Sequence, residues 1–135
     1  MSKLFVYWSG TGNTESIANQ ISGDVNADCR RVGEVSVNEV LGCDTIILGC
    51  PAMGSEELED MEFKPFYDEL IKKVDRQRIF LFGSYDWGDG EWMKLWQDDV
   101  FENGKTLGGP GLIVNGDISM VDEKEYEEFI SNIMS

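Results

Sequence analysis
An apolar strand that runs into Ser-Gly-Thr-Gly-Asn-Thr and then into a helix leaves a chain few folds to choose from. Lys3 to Trp8 is short, apolar and aromatic, as suits a buried strand. Ile17, Ala18, Ile21 and Val25 follow at helical spacing. Between them Ser9, Thr11, Asn13 and Thr14 offer hydroxyl and amide groups, and Gly10 and Gly12 let the backbone turn and present its N–H groups. A turn of this kind opening onto a helix N-terminus is a phosphate site by geometry. It carries no Lys or Arg, so it is not a nucleoside-triphosphate loop. Glu15 stands where a dinucleotide fingerprint requires its third glycine. What remains is a neutral cradle for one terminal phosphate. The plainer alternative is a β–α turn with a Ser or Thr N-cap.

The rest of the chain repeats the strand–helix alternation. Asp28 to Val32 reads as a short strand, and Ser36 caps a short helix with Val37, Val40 and Leu41 inward. Thr45 to Cys50 is a continuous apolar run, as in a central parallel strand covered on both faces. Phe63, Phe66, Tyr67, Leu70, Ile71 and Val74 form one helical stripe, with Pro65 tolerated in its first turn. Lys72, Lys73, Arg76 and Arg78 crowd the far end of that helix, where cations suit its dipole. Ile79 to Gly83 is a further buried strand, followed by a loop, Asp89 as a cap, and a helix with Trp92, Trp96 and Val100 inward. Gly108 to Gly111 is a turn, Leu112 to Val114 the last strand, and Tyr126, Phe129, Ile130 and Ile133 the inner face of the last helix. Alternating strands and helices predict an α/β fold with a parallel sheet. No linker or repeat divides the chain, so one domain is expected over residues 1–135.

Composition narrows the chemistry. The formal charge is −15, from 26 acids against 11 bases, which argues against nucleic acid or an acidic membrane as partner and in favour of a basic protein. There is no histidine, which removes the commonest general base and most zinc sites. Cys29, Cys43 and Cys50 form no Cys-x-x-Cys pair and cannot supply four ligands to an iron–sulfur cluster. No Cys-x5-Arg pattern marks a cysteine phosphatase, and Cys50 is expected to pack in the core. Such a chain is expected to place its chemistry in a bound cofactor. No apolar run reaches membrane-span length and no signal-peptide layout opens the chain, so a cytoplasmic location is expected.

Three stretches carry a family resemblance: Ser9-Gly10-Thr11-Gly12-Asn13-Thr14, then Gly49 to Glu57 (Gly-Cys-Pro-Ala-Met-Gly-Ser-Glu-Glu), then Gly83 to Trp92 (Gly-Ser-Tyr-Asp-Trp-Gly-Asp-Gly-Glu-Trp). Together they resemble the short-chain flavodoxins of anaerobic bacteria over nearly the whole chain. The resemblance implies a doubly wound five-stranded sheet of order 2-1-3-4-5 with helices on both faces, flavodoxin being itself the standing example of that order. It implies flavin mononucleotide (FMN) as cofactor, bound without a covalent bond by loops at strand ends. Ser9, Gly10, Thr11, Gly12, Asn13 and Thr14 would take the phosphate. Pro51, Ala52, Met53, Gly54, Ser55 and Glu56 would cover one ring face and edge, with Glu56 on the pyrimidine side. Taken alone, Met53-Gly54-Ser55 is also an ordinary turn after a strand. Ser84, Tyr85, Asp86, Trp87 and Gly88 would cover the other face, with Trp87 stacked on the ring and Tyr85 beside it. In the family the peptide after this Met reorients as the flavin takes up one electron and a proton at N5.

The implied function is a low-potential one-electron carrier, a monomer without catalytic residues, that serves redox enzymes with basic surfaces. The alternatives are an FMN-dependent quinone or NAD(P)H oxidoreductase and a flavin-containing activator of a partner enzyme. Glu56, Glu57, Glu59, Asp60 and Glu62 place five carboxylates in seven residues beside the ring. Each would oppose a reduced flavin anion about 10 Å away by roughly 0.4 kcal/mol, although solubility and a helix N-terminus also favour acids. Asp86 departs from the family's usual Gly.

Overall fold
The computed structural model describes residues 2–54 and 56–135. The elements in chain order are β1 (Lys3–Tyr7), α1 (Asn13–Asp24), β2 (Asp28–Arg31), α2 (Val37–Leu41), β3 (Thr45–Gly49), α3 (Phe63–Lys73), β4 (Arg78–Tyr85), α4 (Glu91–Glu102), β5 (Leu112–Asn115) and α5 (Glu123–Met134). A single 3-10 turn, Ile118–Met120, precedes α5. The five strands pair in parallel in the order β2-β1-β3-β4-β5. The expected fold class is therefore the observed one.

The strands sort their side chains by alternation. Leu4, Val6, Ile46, Leu48, Ile79 and Leu81 point to one face, where α2, α3 and α4 cover them with Val40, Tyr67, Leu70, Trp92 and Trp96. Phe5, Tyr7, Ile47, Phe80, Phe82 and Val114 point to the other, under Ile17 and Ile21 of α1 and Phe129 and Ile133 of α5. The central strands thus read as unbroken apolar runs because both faces are covered. Burying each such side chain contributes about 1.5–3 kcal/mol. Cys50 lies in the first core, fully buried, and burial pushes its thiol up to about 12, as an inert packing residue requires.

Local signals fixed most ends. Ser36 caps α2 in a reciprocal pair with Glu39: Glu39 N–H donates to Ser36 Oγ at 3.1 Å and Ser36 N–H to Glu39 Oε1 at 2.9 Å. Asp122 caps α5 by its side chain alone, accepting from Glu125 N–H at 3.0 Å. Two expectations are corrected, at α4 and at β4, and one alternative is settled at α1. The plainer alternative at α1, a Ser or Thr cap, is absent: its N-cap is Gly12, in the left-handed region at φ 100°. The cap of α4 is Gly90, not Asp89, and it too is left-handed. Strand β4 runs two residues beyond Gly83, because Ser84 and Tyr85 pair with Val114 and Asn115 of β5. Among the described residues no helix is long and apolar enough to cross a membrane.

Candidate functional site
Loops after β1, β3 and β4 meet at the carboxyl end of the sheet, where the chain switches from building one side of the sheet to building the other. The first loop is the most firmly held. Ser9 and Thr14 are buried. Ser9 Oγ accepts the Gly12 N–H at 3.1 Å, which closes the turn. Thr14 Oγ1 and Ser84 Oγ share a 2.8 Å hydrogen bond, which pins α1 to the end of β4. Helix α1 makes its first hydrogen bond from Ser16 N–H to Gly12 C=O at 3.0 Å. With no side-chain cap, the preceding N–H groups at the helix start have no intrahelical partner. Left-handed Gly12 leaves that end open, which is the arrangement that binds anions. A Ser or Thr cap would have consumed it.

Ser84 meets the first loop through Thr14 and lies in a strand, not in the third loop. Tyr85 is also corrected: its ring packs on Trp92, with centroids 5.4 Å apart, and not on Trp87. The cradle is not free of cations either. Arg31, at the end of β2, donates from Nη1 to Ser9 C=O at 2.9 Å. The sequence reading missed it because only the β1–β2 pairing, with Tyr7 opposite Arg31, brings residue 31 beside residue 9.

The second loop begins with half-buried Pro51 and Ala52, the latter tied to β4 by its N–H to Ser84 C=O at 3.0 Å. Met53 and Glu57 then exchange two backbone hydrogen bonds of 2.9 and 3.0 Å around a three-residue tip. Gly54 (φ 43°) and Glu56 (φ 59°) both adopt positive φ in that tip. Ser55 lies outside the described residues. Glu56 has its Oε1 buried, with no hydrogen-bond partner among the described residues. Its carboxylate lies against the third loop at Gly88, where a Cβ would come within 2.9 Å of that same oxygen. Gly88 (φ 95°) is thus needed for both conformation and space.

In the third loop Asp86, Trp87, Gly88 and Asp89 are all exposed, and Trp87 is 72% exposed. A large aromatic side chain held in water beside a cleft is the unusual observation here. The acid-rich segment does not act as a block. Glu59 is turned inward, only 5% exposed, and accepts the N–H groups of Met61, Glu62 and Phe63 at 2.8–2.9 Å. Burial alone would raise its pKa, but those three N–H groups and the nearby Arg31 outweigh it and hold the carboxyl below its ordinary range. Glu59 is therefore the anchor of the α3 start, a correction to its placement beside the ring. Glu57, Asp60 and Glu62 remain exposed, and Glu62 accepts from Trp8 Nε1 at 3.1 Å. Trp8 and Glu59 were both missed as site-shaping residues. Each resembles a simpler feature in sequence, a strand aromatic and one acid among five.

A cleft of about 190 Å³ runs between these loops, lined among others by Trp8, Gly10, Thr11, Met53, Ser84 and Asp86. Ligand pockets that enclose a drug-sized molecule measure roughly 300–1,000 Å³. This cleft is smaller than a pocket that encloses such a molecule. A larger hollow, about 610 Å³, lies at the other end of the sheet between Leu41–Thr45 and Arg76–Arg78, away from all three loops.

A doubly wound parallel sheet with an open helix start, a cleft and an exposed tryptophan at its switch point is the architecture of the nucleotide-binding doubly wound proteins. The comparisons with known proteins name the family. The flavodoxin family model matches residues 5–129. A flavodoxin of Megasphaera elsdenii is 46% identical over 113 residues, covering 80% of this chain and 82% of that protein. One of Clostridium beijerinckii is 38% identical over 135 residues, covering 95% of this chain and 98% of that protein. The solution structure of two-electron reduced M. elsdenii flavodoxin superposes with a TM-score of 0.85 at 40% identity, covering 97% of this chain and 98% of that one. This chain belongs to the flavodoxin family, of the short-chain type. It is an FMN-binding electron-transfer protein that works with redox partners, and not an enzyme.

Proposed function
We propose that the three loops bind FMN through the residues named above and that the protein is a low-potential carrier of single electrons. The observation that carries this reading is the buried, unpartnered Glu56 Oε1 between the second and third loops. A buried acceptor left alone costs about 1–3 kcal/mol, and an N–H on the edge of a flat heteroaromatic ring would satisfy it. When bound, the flavin supplies the storage of electrons, which no side chain of this histidine-free chain offers.

The chain's own groups divide the work. Ser9, Gly10, Thr11, Gly12, Asn13 and Thr14 supply hydroxyl and N–H donors that replace the water shell of the phosphate. Ser84 fixes the Thr14 hydroxyl. Pro51 and Ala52 set the base of the second loop, while Met53, a soft side chain, lies against one ring face. Gly54 allows the tip to change its peptide orientation. Trp87 covers the second face, with Tyr85, Asp86 and Gly88 shaping the loop that carries it. Exposed Glu57, Asp60, Glu62 and Asp86 oppose added negative charge, each by about 0.4 kcal/mol at 10 Å. That lowers the potential.

The net charge of −15 further supports donors and acceptors with basic docking surfaces, reached by electrostatic steering, rather than nucleic acid or membrane. The protein acts as a cytoplasmic monomer, a single domain over residues 1–135. The test is stepwise anaerobic reduction of the FMN-loaded protein, followed by visible absorption and electron paramagnetic resonance. A one-spin signal that rises and falls across the titration is expected. Direct two-electron bleaching with no spin would contradict a carrier of single electrons.

A further inference from the structure
Arg31 sits at a joint that the phosphate cradle depends on. Its Nη1 donates to Ser9 C=O at 2.9 Å, and its guanidinium lies over the Trp8 ring, 5.7 Å from the centroid. That ring backs Gly10 so closely that a Cβ there would approach it to 2.9 Å. The indole Nε1–H donates to Glu62 Oε1 at 3.1 Å. The backbone of Arg31 is itself clamped, its N–H donating to Glu34 Oε1 at 2.8 Å, and the next residue, Val32, donates to Tyr7 C=O at 2.7 Å. In a chain with 26 acids, the guanidinium has no carboxylate within 4.0 Å among the described residues. Glu59, whose carboxylate feels the Arg31 charge, already serves three N–H groups.

We propose that Arg31 is a positioning residue of the phosphate site. It acts through Ser9 and Trp8. It occupies the Ser9 carbonyl, which would otherwise be free to turn toward an incoming anion, and it keeps a positive charge without a close ion-pair partner beside a loop that has none of its own. Stacking on Trp8 and hydrogen bonding in the guanidinium plane are both properties that Lys lacks. This inference rests on the phosphate reading of Ser9–Thr14 given above.

The test compares FMN with riboflavin, which is the same molecule without the phosphate. Both are titrated into the flavin-free protein by fluorescence quenching, for the wild type, Arg31→Gln and Arg31→Lys, at low and high salt. Arg31→Gln is expected to weaken FMN about tenfold at low salt and riboflavin less than twofold. Arg31→Lys should fall between wild type and Gln. The FMN difference should narrow as salt rises. Equal weakening of both ligands would reduce Arg31 to a general structural role and overturn the proposal, as would unchanged FMN binding. If Arg31→Gln does not fold, Arg31→Lys decides alone, by whether FMN weakens while riboflavin does not. A wild type that binds the two flavins equally would instead remove the phosphate reading itself, whatever the variants do.

Discussion

The two ends of the proposed FMN site, one for the phosphate and one for the ring, are built in opposite ways. At the phosphate end Ser9, Thr14 and Ser84 are buried, each hydroxyl is already hydrogen-bonded, and a helix start is fixed to a strand end. At the ring end Met53 is 36% exposed and Trp87 72% exposed, and Glu56 has an unpartnered oxygen. The first arrangement minimises reorganisation on binding and favours affinity. The second leaves groups able to respond when the charge of a ligand changes. A carrier needs both, since it must hold its cofactor in every redox state yet stabilise those states unequally.

The largest effect expected from this contrast is at Thr14. Thr14→Ala removes a hydroxyl from the cradle and frees Ser84 Oγ. A hydrogen bond to a charged group contributes about 1.5–3 kcal/mol, so FMN should bind roughly 10- to 100-fold more weakly, with riboflavin much less affected. Fluorescence titration of both ligands checks it. Equal losses would erase the distinction between the two ends.

Glu59 comes next, because it separates the buried acid of the second loop from its exposed neighbours. Its folded-state pKa is depressed, so the stability it contributes is present above the ordinary carboxylate range and is lost as pH falls through the depressed value. Glu59→Gln should lower stability by about 1–2 kcal/mol at neutral pH. The gap from wild type should close on acidification. Thermal melting across pH reads this directly, and a gap that widens in acid would contradict the capping role.

Trp87→Ala sharpens the ring side. Loss of one aromatic partner, about 0.5–1.5 kcal/mol, should weaken FMN and riboflavin alike by about threefold to tenfold in the same titration. A phosphate-dependent loss would mean that Trp87 does not face the ring. The smallest effect expected is at Asp86. Removing its charge with Asp86→Gly should make the second reduction potential less negative by about 20 mV, which is 0.4 kcal/mol for one electron. A potentiometric titration showing no change, or a more negative potential, would sink that assignment.

The periodic features were readable from sequence because each follows from one element's own chemistry. The apolar runs of β1, β3 and β4, the α3 stripe and the Ser36 cap needed no knowledge of neighbours. The three glycine-bearing loops were also readable, since turns of this kind have local signatures. What was not readable depends on pairing across the fold. Ser84 joins the phosphate end because parallel strand β5 extends β4 past Gly83, and because Thr14 meets it 70 residues away in sequence. Arg31 reaches Ser9 only through an edge strand of weak pattern. Glu59 is one acid among five until the backbone folds three N–H groups around it. The cap of α4 was misread for a related reason, and α1 shows the same device. At both, a left-handed glycine takes the place of a polar side chain and leaves the helix start open to a ligand or a loop.

The measurement that bears most directly on this account is the ratio of the FMN and riboflavin dissociation constants for the wild-type flavin-free protein. A buried cradle with several donors to one phosphate predicts that FMN binds at least about a hundredfold more tightly, the equivalent of two charge-assisted hydrogen bonds. Equal affinities would contradict a site divided between a phosphate end that holds and a ring end that responds.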